Sequence, residues 1–288
     1  MEANLGAPRI EEFGEISDRY DVILCDVWGV LHNGVRAWTP AWRALAAARE
    51  QGKAVVLITN APRPKGPVSE QLASLGIPDS AYDDIVTSGD VTRTLIRQNA
   101  RRIFHIGPER DESLYDGLDV EMVEEREASS VVCTGFYDDE TEEPGDYAEM
   151  LQRLRARDLP FICANPDIVV ERGDRLVYCA GALARDYGQL GGRTLIAGKP
   201  HRPIYDEALA RASKALGREA DPERTLAIGD GLTTDVKGAM DYGLDLLFIT
   251  EGIHAREYGE PGNPDPEKLA RFLGDFGARP VATMLKLR

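Results

Sequence analysis

Asp26 closes the apolar run Val22-Ile23-Leu24-Cys25 and is followed by Val27-Trp28-Gly29-Val30-Leu31. A second apolar run ends in Ile58-Thr59-Asn60-Ala61, which sets a hydroxyl beside an amide. Ala197-Gly198-Lys199-Pro200 places a lysine just ahead of a helical pattern. Ile228-Gly229-Asp230-Gly231-Leu232-Thr233-Thr234-Asp235 sets two carboxylates astride a loop and a helix start. These residue types suit one chemistry. Asp26 and Asp230 suit a shared hard cation, because Mg2+ favours one or two carboxylates together with water and phosphate oxygens. Lys199 suits neutralisation of phosphate charge, and Thr59 and Asn60, with nearby backbone N–H groups, suit the phosphoryl oxygens. Phosphoryl transfer rests mainly on positioning and charge stabilisation, which such a set supplies. A strand-end aspartate is also a competent covalent nucleophile that takes phosphate as an aspartyl-phosphate.

Short β-rich runs alternating with helical patterns must position these groups, which predicts an α/β fold with a parallel sheet. Strands are expected at Val22–Cys25 and Ala54–Ile58 and helices over Pro40–Gln51 and about Val68–Leu75, and Ile85-Val86-Thr87-Ser88-Gly89-Asp90 reads as a short strand and a cap before a helix through Arg97. Thr39 reads as an N-cap before Pro40, and Gly52 follows that helix. The middle of the chain repeats the alternation with strands at Arg102–Ile106, Ser130–Cys133 and Phe161–Ala164 and a helix over Tyr147–Arg157. Asp138-Asp139-Glu140-Thr141-Glu142-Glu143 reads as a solvated loop. The last third resumes the first pattern, with strands at Thr194–Ala197, Thr225–Ile228 and Leu246–Ile249 and helices over Pro203–Leu216, Thr234–Tyr242 and Pro266–Gly274. A sheet domain of residues 1–86 and 193–288, interrupted by an inserted domain of residues 87–192, accounts for this order. Ligands of open parallel sheets bind beyond the carboxyl ends of the strands, so Asp26, Thr59 and Asp230 are expected to face one crevice.

The 288 residues include 34 Lys plus Arg and 49 Asp plus Glu, for a formal charge of −15. Such a chain is a poor binder of nucleic acid and of anionic membranes. No apolar run approaches the roughly 20 residues that span a bilayer, and the acidic first twenty residues lack the apolar core of a signal peptide. Cys25, Cys133, Cys163 and Cys179 show no C-x-x-C spacing. They read as buried free thiols of a cytoplasmic, reducing compartment rather than as a zinc site. The composition leaves room for a homodimer and does not specify one.

The order Asp, Thr-Asn, Lys, Gly-Asp-x4-Asp resembles the haloacid dehalogenase-like (HAD) hydrolases, from about residue 20 to near the end of the chain. The insertion between Asn60 and Lys199 resembles the class IIA subgroup, which includes the NagD-like nucleotide and sugar phosphatases. Thr87-Ser88, Phe161-Ile162-Cys163-Ala164-Asn165-Pro166-Asp167, Gly181-Ala182-Leu183 and Gly198-Lys199-Pro200 support it. The resemblance implies a Rossmann-like parallel-sheet core carrying an inserted α/β cap of the C2 type. It implies Mg2+ as cofactor and a small phosphorylated metabolite, such as a sugar phosphate, as substrate. It makes Asp26 the nucleophile and a metal ligand, with the Trp28 backbone carbonyl and Asp230 as further ligands and Asp235 supporting the ion. Thr59 and Asn60 then contact the transferring group, Lys199 bridges it to Asp26, and Asn165 and Asp167 lie in a cap loop able to face the leaving group.

One departure matters. The family's phosphatases carry a second aspartate two residues after the nucleophile, as acid and base for the leaving oxygen, and this chain has Trp28 there. Indole exchanges no proton at neutral pH. A positioned acid or base contributes about 10²–10⁴-fold. The Asp-x-Trp-Gly form also occurs among NagD-like predicted sugar phosphatases. His32 is the nearest titratable substitute, with an ordinary pKa in the useful range. Three readings follow: a phosphatase, a retired hydrolase that senses a phosphometabolite, and a hydrolase of another bond. Simpler roles stand beside the chemical ones: Trp28 as packing or as a stacking platform, Asp235 as a helix-start carboxylate, and Asn165 and Asp167 as a turn. Trp38 and Trp42 read as core or interface. His105, His201 and His254 take no role.

Overall fold

The computed structural model describes residues 6–99, 101–173 and 175–288; the first five residues of the acidic N-terminal stretch lie outside the described residues. The chain forms two compact units. One comprises Met1–Ile58, Gln71–Val86 and Tyr205–Arg288, and the other Thr59–Glu70 and Thr87–Ile204. In chain order the strands are β1 (Val22–Asp26), β2 (Ala54–Thr59), β3 (Asp84–Thr87), β4 (Arg102–Ile106), β5 (Glu121–Met122), β6 (Ser130–Cys133), β7 (Phe161–Cys163) and β8 (Val169–Arg172). They continue as β9 (Arg175–Tyr178), β10 (Thr194–Ile196), β11 (Thr225–Gly229), β12 (Asp245–Ile249), β13 (Gly259–Glu260), β14 (Asn263–Pro264) and β15 (Ala282–Met284). The helices are α1 (Gly14–Ser17), α2 (Thr39–Glu50), α3 (Lys65–Ser74), α4 (Ser88–Asn99), α5 (Ala148–Ala156), α6 (Ala180–Gln189), α7 (Arg202–Leu216), α8 (Lys237–Tyr242) and α9 (Pro266–Asp275).

The first unit holds a six-stranded sheet in the order β15-β12-β11-β1-β2-β3. β1 runs parallel to both β11 and β2, and β12 runs parallel to β11 and β15. Every residue of β1, β2 and β11 is buried. A parallel strand covered on both faces reads as a continuous apolar run, which is why these strands were legible. The chain leaves β1 toward β2 on one side and returns to β11 on the other. This reversal opens a crevice beyond the carboxyl ends of β1 and β11. Register places Cys25 opposite Ile228 and Asp26 opposite Ile58, so Asp26 and Asp230 emerge at neighbouring strand ends.

The second unit holds a five-stranded sheet in the order β10-β7-β6-β4-β5, every pair of it parallel. Its side chains alternate between two cores. Val131, Cys133, Phe161 and Cys163 pack with α5 and α6, while Val132 and Ile162 pack with Ile96 of α4 and with Leu114. This is a covered sheet with a core of its own.

Three differences from the sequence reading have physical causes. Thr194–Ala197 was read with the strands of the last third, but β10 pairs with β7 in the second unit's sheet. An apolar run identifies a strand without naming its neighbour. The β8–β9 hairpin is antiparallel and turns near Gly173; its charged residues hid it. The acidic run 138–143 is a turn, yet Asp139 is not simply solvated. Its side chain is 11% exposed and accepts from Arg172 Nη1 and Nη2 at 2.9 and 2.7 Å and from Arg110 at 2.6 Å. Two guanidinium groups account for a half-buried carboxylate that spacing alone assigned to water.

The four cysteines are free and buried. Trp38 and Trp42 are half-buried, with Lys286 and Arg43 over their rings. Among the described residues no helix is long and apolar enough to cross a membrane.

Candidate active site

In the first unit Asp26, Asp230 and Asp235 form one cluster. All three are buried, and each offers a carboxylate oxygen within 4.8 Å of the others. Asp26 is the last residue of β1, and its Oδ1 accepts from Val27 N at 2.7 Å. Asp230 follows β11 directly, and its Oδ2 accepts from Ile253 N at 2.8 Å. Asp235 lies in a π-turn over Leu232–Val236, where Val236 N donates to Gly231 O at 3.0 Å. Such turns favour functional positions because they re-aim one residue of a helix. The turn precedes α8, so the expected helix at Thr234 begins with this distortion. Asp235 Oδ2 accepts from Gly231 N at 3.1 Å and so braces the loop that carries Asp230.

Glycines make the cluster possible. A Cβ at Gly29 or at Gly252 would overlap the Asp230 carboxylate, and one at Gly229 would overlap Asp235. Gly29 also has φ +87°, a conformation that L side chains rarely adopt. Three buried carboxylates this close repel one another, and a divalent cation offsets that repulsion. The donors are hard oxygens, which fit Mg2+ or Ca2+ better than a soft metal.

Trp28 is half-buried and meets His32 edge-on, with ring centroids 5.0 Å apart. His32 is 2% exposed, and its Nδ1 accepts from Gly34 N at 2.9 Å. Burial pushes its pKa down to about 4. The expectation of a histidine titrating in the useful range is therefore corrected: His32 is a neutral packing partner of Trp28 near pH 7. His254, given no role from sequence, holds the Asp235 turn, since its Nε2 accepts from Leu232 N at 3.2 Å. Gly252, Ile253 and His254 follow β12, and a polar step after a strand was the signal available for them.

The second unit gathers Asn60, Asp167 and Lys199. Asn60 Oδ1 accepts from Lys199 N at 2.7 Å, and its Nδ2 donates to Lys199 O at 3.3 Å and to Asp167 Oδ1 at 2.9 Å. Asn60 and Lys199 are 4% and 2% exposed. A Cβ at Gly198, whose φ is +88°, would crowd Asn60 Oδ1 and Ser88 Oγ. The amide thus fixes the lysine's backbone. Thr59 ends β2, and its Oγ1 accepts from Ala61 N at 3.3 Å. Asn165 Oδ1 accepts from Asp167 N at 3.0 Å, an Asx-type turn. Gly181 opens α6 against this turn, with no space for a side chain.

Family models for haloacid dehalogenase-like hydrolases match residues 23–121 and 196–276. A crystal structure of a haloacid dehalogenase-like hydrolase from Brucella suis 1330 is 58% identical. It superposes with a TM-score of 0.88, covering 97% of this chain and 100% of that one. The chain belongs to the haloacid dehalogenase-like hydrolase family. The ribonucleotide monophosphatase NagD of Escherichia coli (strain K12) is 26% identical over 242 residues, covering 80% of this chain and 88% of NagD. The D-glycerol 3-phosphate phosphatase of Mycobacterium tuberculosis (strain ATCC 25618 / H37Rv) is 27% identical over 261 residues, covering 85% of this chain and 68% of that enzyme.

Proposed function

We propose that the chain is a Mg2+-dependent phosphatase of a small phosphorylated metabolite, such as a sugar phosphate, working through an aspartyl-phosphate on Asp26. The observation that carries this reading is the buried cluster of Asp26, Asp230 and Asp235 at adjoining strand ends. Asp26, the Trp28 backbone carbonyl and Asp230 hold the ion, and Asp235 keeps Asp230 in place. When bound, Mg2+ supplies charge neutralisation to the transferring phosphoryl group. A carboxylate oxygen of Asp26 bonds to phosphorus while the bond from phosphorus to the ester oxygen breaks. The departing alkoxide takes a proton from water. A second water then attacks the phosphorus, releases inorganic phosphate and returns the Asp26 carboxylate. Thr59 and Asn60 bind phosphoryl oxygens, and Lys199 neutralises their charge. Asn165 and Asp167 shape the approach of the leaving group, and the inserted domain is the cap.

The names of the relatives, a ribonucleotide and a glycerol phosphate phosphatase, support a small phosphomonoester. The four buried free thiols support a cytoplasmic location. Steady-state assays of phosphorylated metabolites with and without Mg2+ test the reading. Turnover is expected to need the ion and to fall at least about 10³-fold in Asp26→Asn, as for loss of a nucleophile. Turnover that survives this substitution contradicts the covalent route. Trp28 and the neutral His32 favour a second reading, a phosphometabolite sensor. Tight ligand binding by the wild-type protein without turnover supports that alternative.

A further inference from the structure

The hard oxygens of the acidic cluster suit Mg2+ and Ca2+ alike, so the choice between them falls to what holds the carboxylates. The segment of residues 230–236 opens on Gly231, where a Cβ would overlap Thr234 Oγ1. The first N–H groups of a helical turn lack partners within it, and a side chain just ahead of the turn often caps them. Gly231 stands in that place and has no side chain. Gly231 N donates to Asp235 Oδ2 at 3.1 Å, and Leu232 N donates to His254 Nε2 at 3.2 Å. His254 thus caps, from a distant segment, the turn that carries Asp235. The residue before it grips the other carboxylate, since Ile253 N donates to Asp230 Oδ2 at 2.8 Å.

The capping loop is itself tied down. Thr250 N donates to Met284 O at 2.8 Å and Glu251 N to Leu285 O at 2.9 Å, which fixes the start of the loop to the end of β15. Tyr258, wholly buried, donates from its hydroxyl to Thr250 O at 2.7 Å and closes the loop on itself. Phe272 of α9 lies against both rings, its centroid 5.3 Å from that of His254 and 5.2 Å from that of Tyr258. This packing keeps the imidazole on the Leu232 amide. Every residue in this chain of contacts belongs to the first unit. Held so, each carboxylate has one oxygen engaged by a backbone N–H: Asp26 Oδ1 by Val27, Asp230 Oδ2 by Ile253 and Asp235 Oδ2 by Gly231. Such anchoring disfavours a grip by both oxygens of one carboxylate. Ca2+ takes about six to eight oxygens in a flexible shell that readily uses such a grip, whereas Mg2+ takes a strict octahedron of shorter bonds.

We propose that His254 is a positioning residue which, by capping the Asp235 turn, keeps the carboxylates in single-oxygen form and selects Mg2+ over Ca2+. The proposal rests on the cluster being the cation site of the phosphatase reading above. Its test titrates the metal-stripped protein calorimetrically with Mg2+ and with Ca2+ and reads the ratio of the two affinities. The wild-type protein is expected to favour Mg2+ about tenfold or more. His254→Phe keeps a ring against Phe272 but removes the acceptor, and is expected to cut that ratio about tenfold. His254→Gln, which restores an acceptor of similar reach, is expected to lie closer to the wild type than to His254→Phe. Should His254→Phe fail to fold by circular dichroism, His254→Ala takes its place. A wild-type protein without preference overturns the proposal. So does a folded variant lacking the acceptor whose ratio is unchanged, or a His254→Gln ratio as low as that of His254→Phe. A wild-type protein that binds neither ion refutes the cation-site reading itself, a result distinct from lost selectivity.

Discussion

Asp230 is fixed by neighbours that have no side chains. Gly29 and Gly252 both abut its carboxylate, so Gly252→Ala must displace either the carboxylate or the backbone. We expect this single methyl to weaken metal binding and to lower turnover about 10²-fold or more, as small misplacements at a reacting centre do; an unchanged Mg2+ dependence contradicts this. Trp28 makes a second prediction. With no positioned acid there, the protein should hydrolyse p-nitrophenyl phosphate about 10²–10⁴-fold faster than an alkyl phosphate. Trp28→Asp should narrow that gap, and a gap that does not change would assign the leaving-group proton elsewhere. Asp26, Asp230 and Asp235 were legible because each ends an apolar run or opens a helix pattern. Gly252, Ile253 and His254 were not, because their part depends on β12 lying beside β11, a pairing that no local spacing encodes. From its type alone His32 reads as a loop histidine or as a proton carrier, and only burial reveals the lowered pKa.

At the scale of elements, the β8–β9 hairpin is tied down by charge. Arg172, the last residue of β8, and Arg110 share the Asp139 carboxylate. Asp139→Ala removes hydrogen bonds between charged groups and is expected to destabilise the protein by about 1–3 kcal/mol. A thermal or urea midpoint measures this, and an unchanged midpoint shows the pairs to be solvated bystanders. The strands of the first sheet were readable because burial on both faces makes them continuous apolar runs. Helix ends came within a few residues, and Asp265 caps α9 by accepting from Glu267 N and Lys268 N. Sheet membership was less readable. β10 carries the same signal as a strand of either sheet, and only its pairing with β7 decides.

For the molecule as a whole, buried histidines set a dependence on acid. The folded pKa of His105 is about 4, below the unfolded value of about 6.5. As pH falls, the unfolded chain binds the proton first, so this contribution is present above about 6.5 and is lost as pH falls toward 4. Subtracting the stability profile of His105→Gln from that of the wild-type protein should leave a difference that declines across this window, and a flat difference contradicts it. On the proposed reading the formal charge of −15 does not prevent an anionic substrate from binding, since a cation held by Asp26 and Asp230 would dominate the local field there. Everything chemical depends on the acidic cluster holding an ion. Calorimetric titration of Mg2+ into the metal-stripped protein, with Asp230→Asn in parallel, addresses this most directly. The account predicts one ion per wild-type chain and an affinity at least about tenfold weaker in the variant. No binding by the wild-type protein, or equal binding by both, would contradict it.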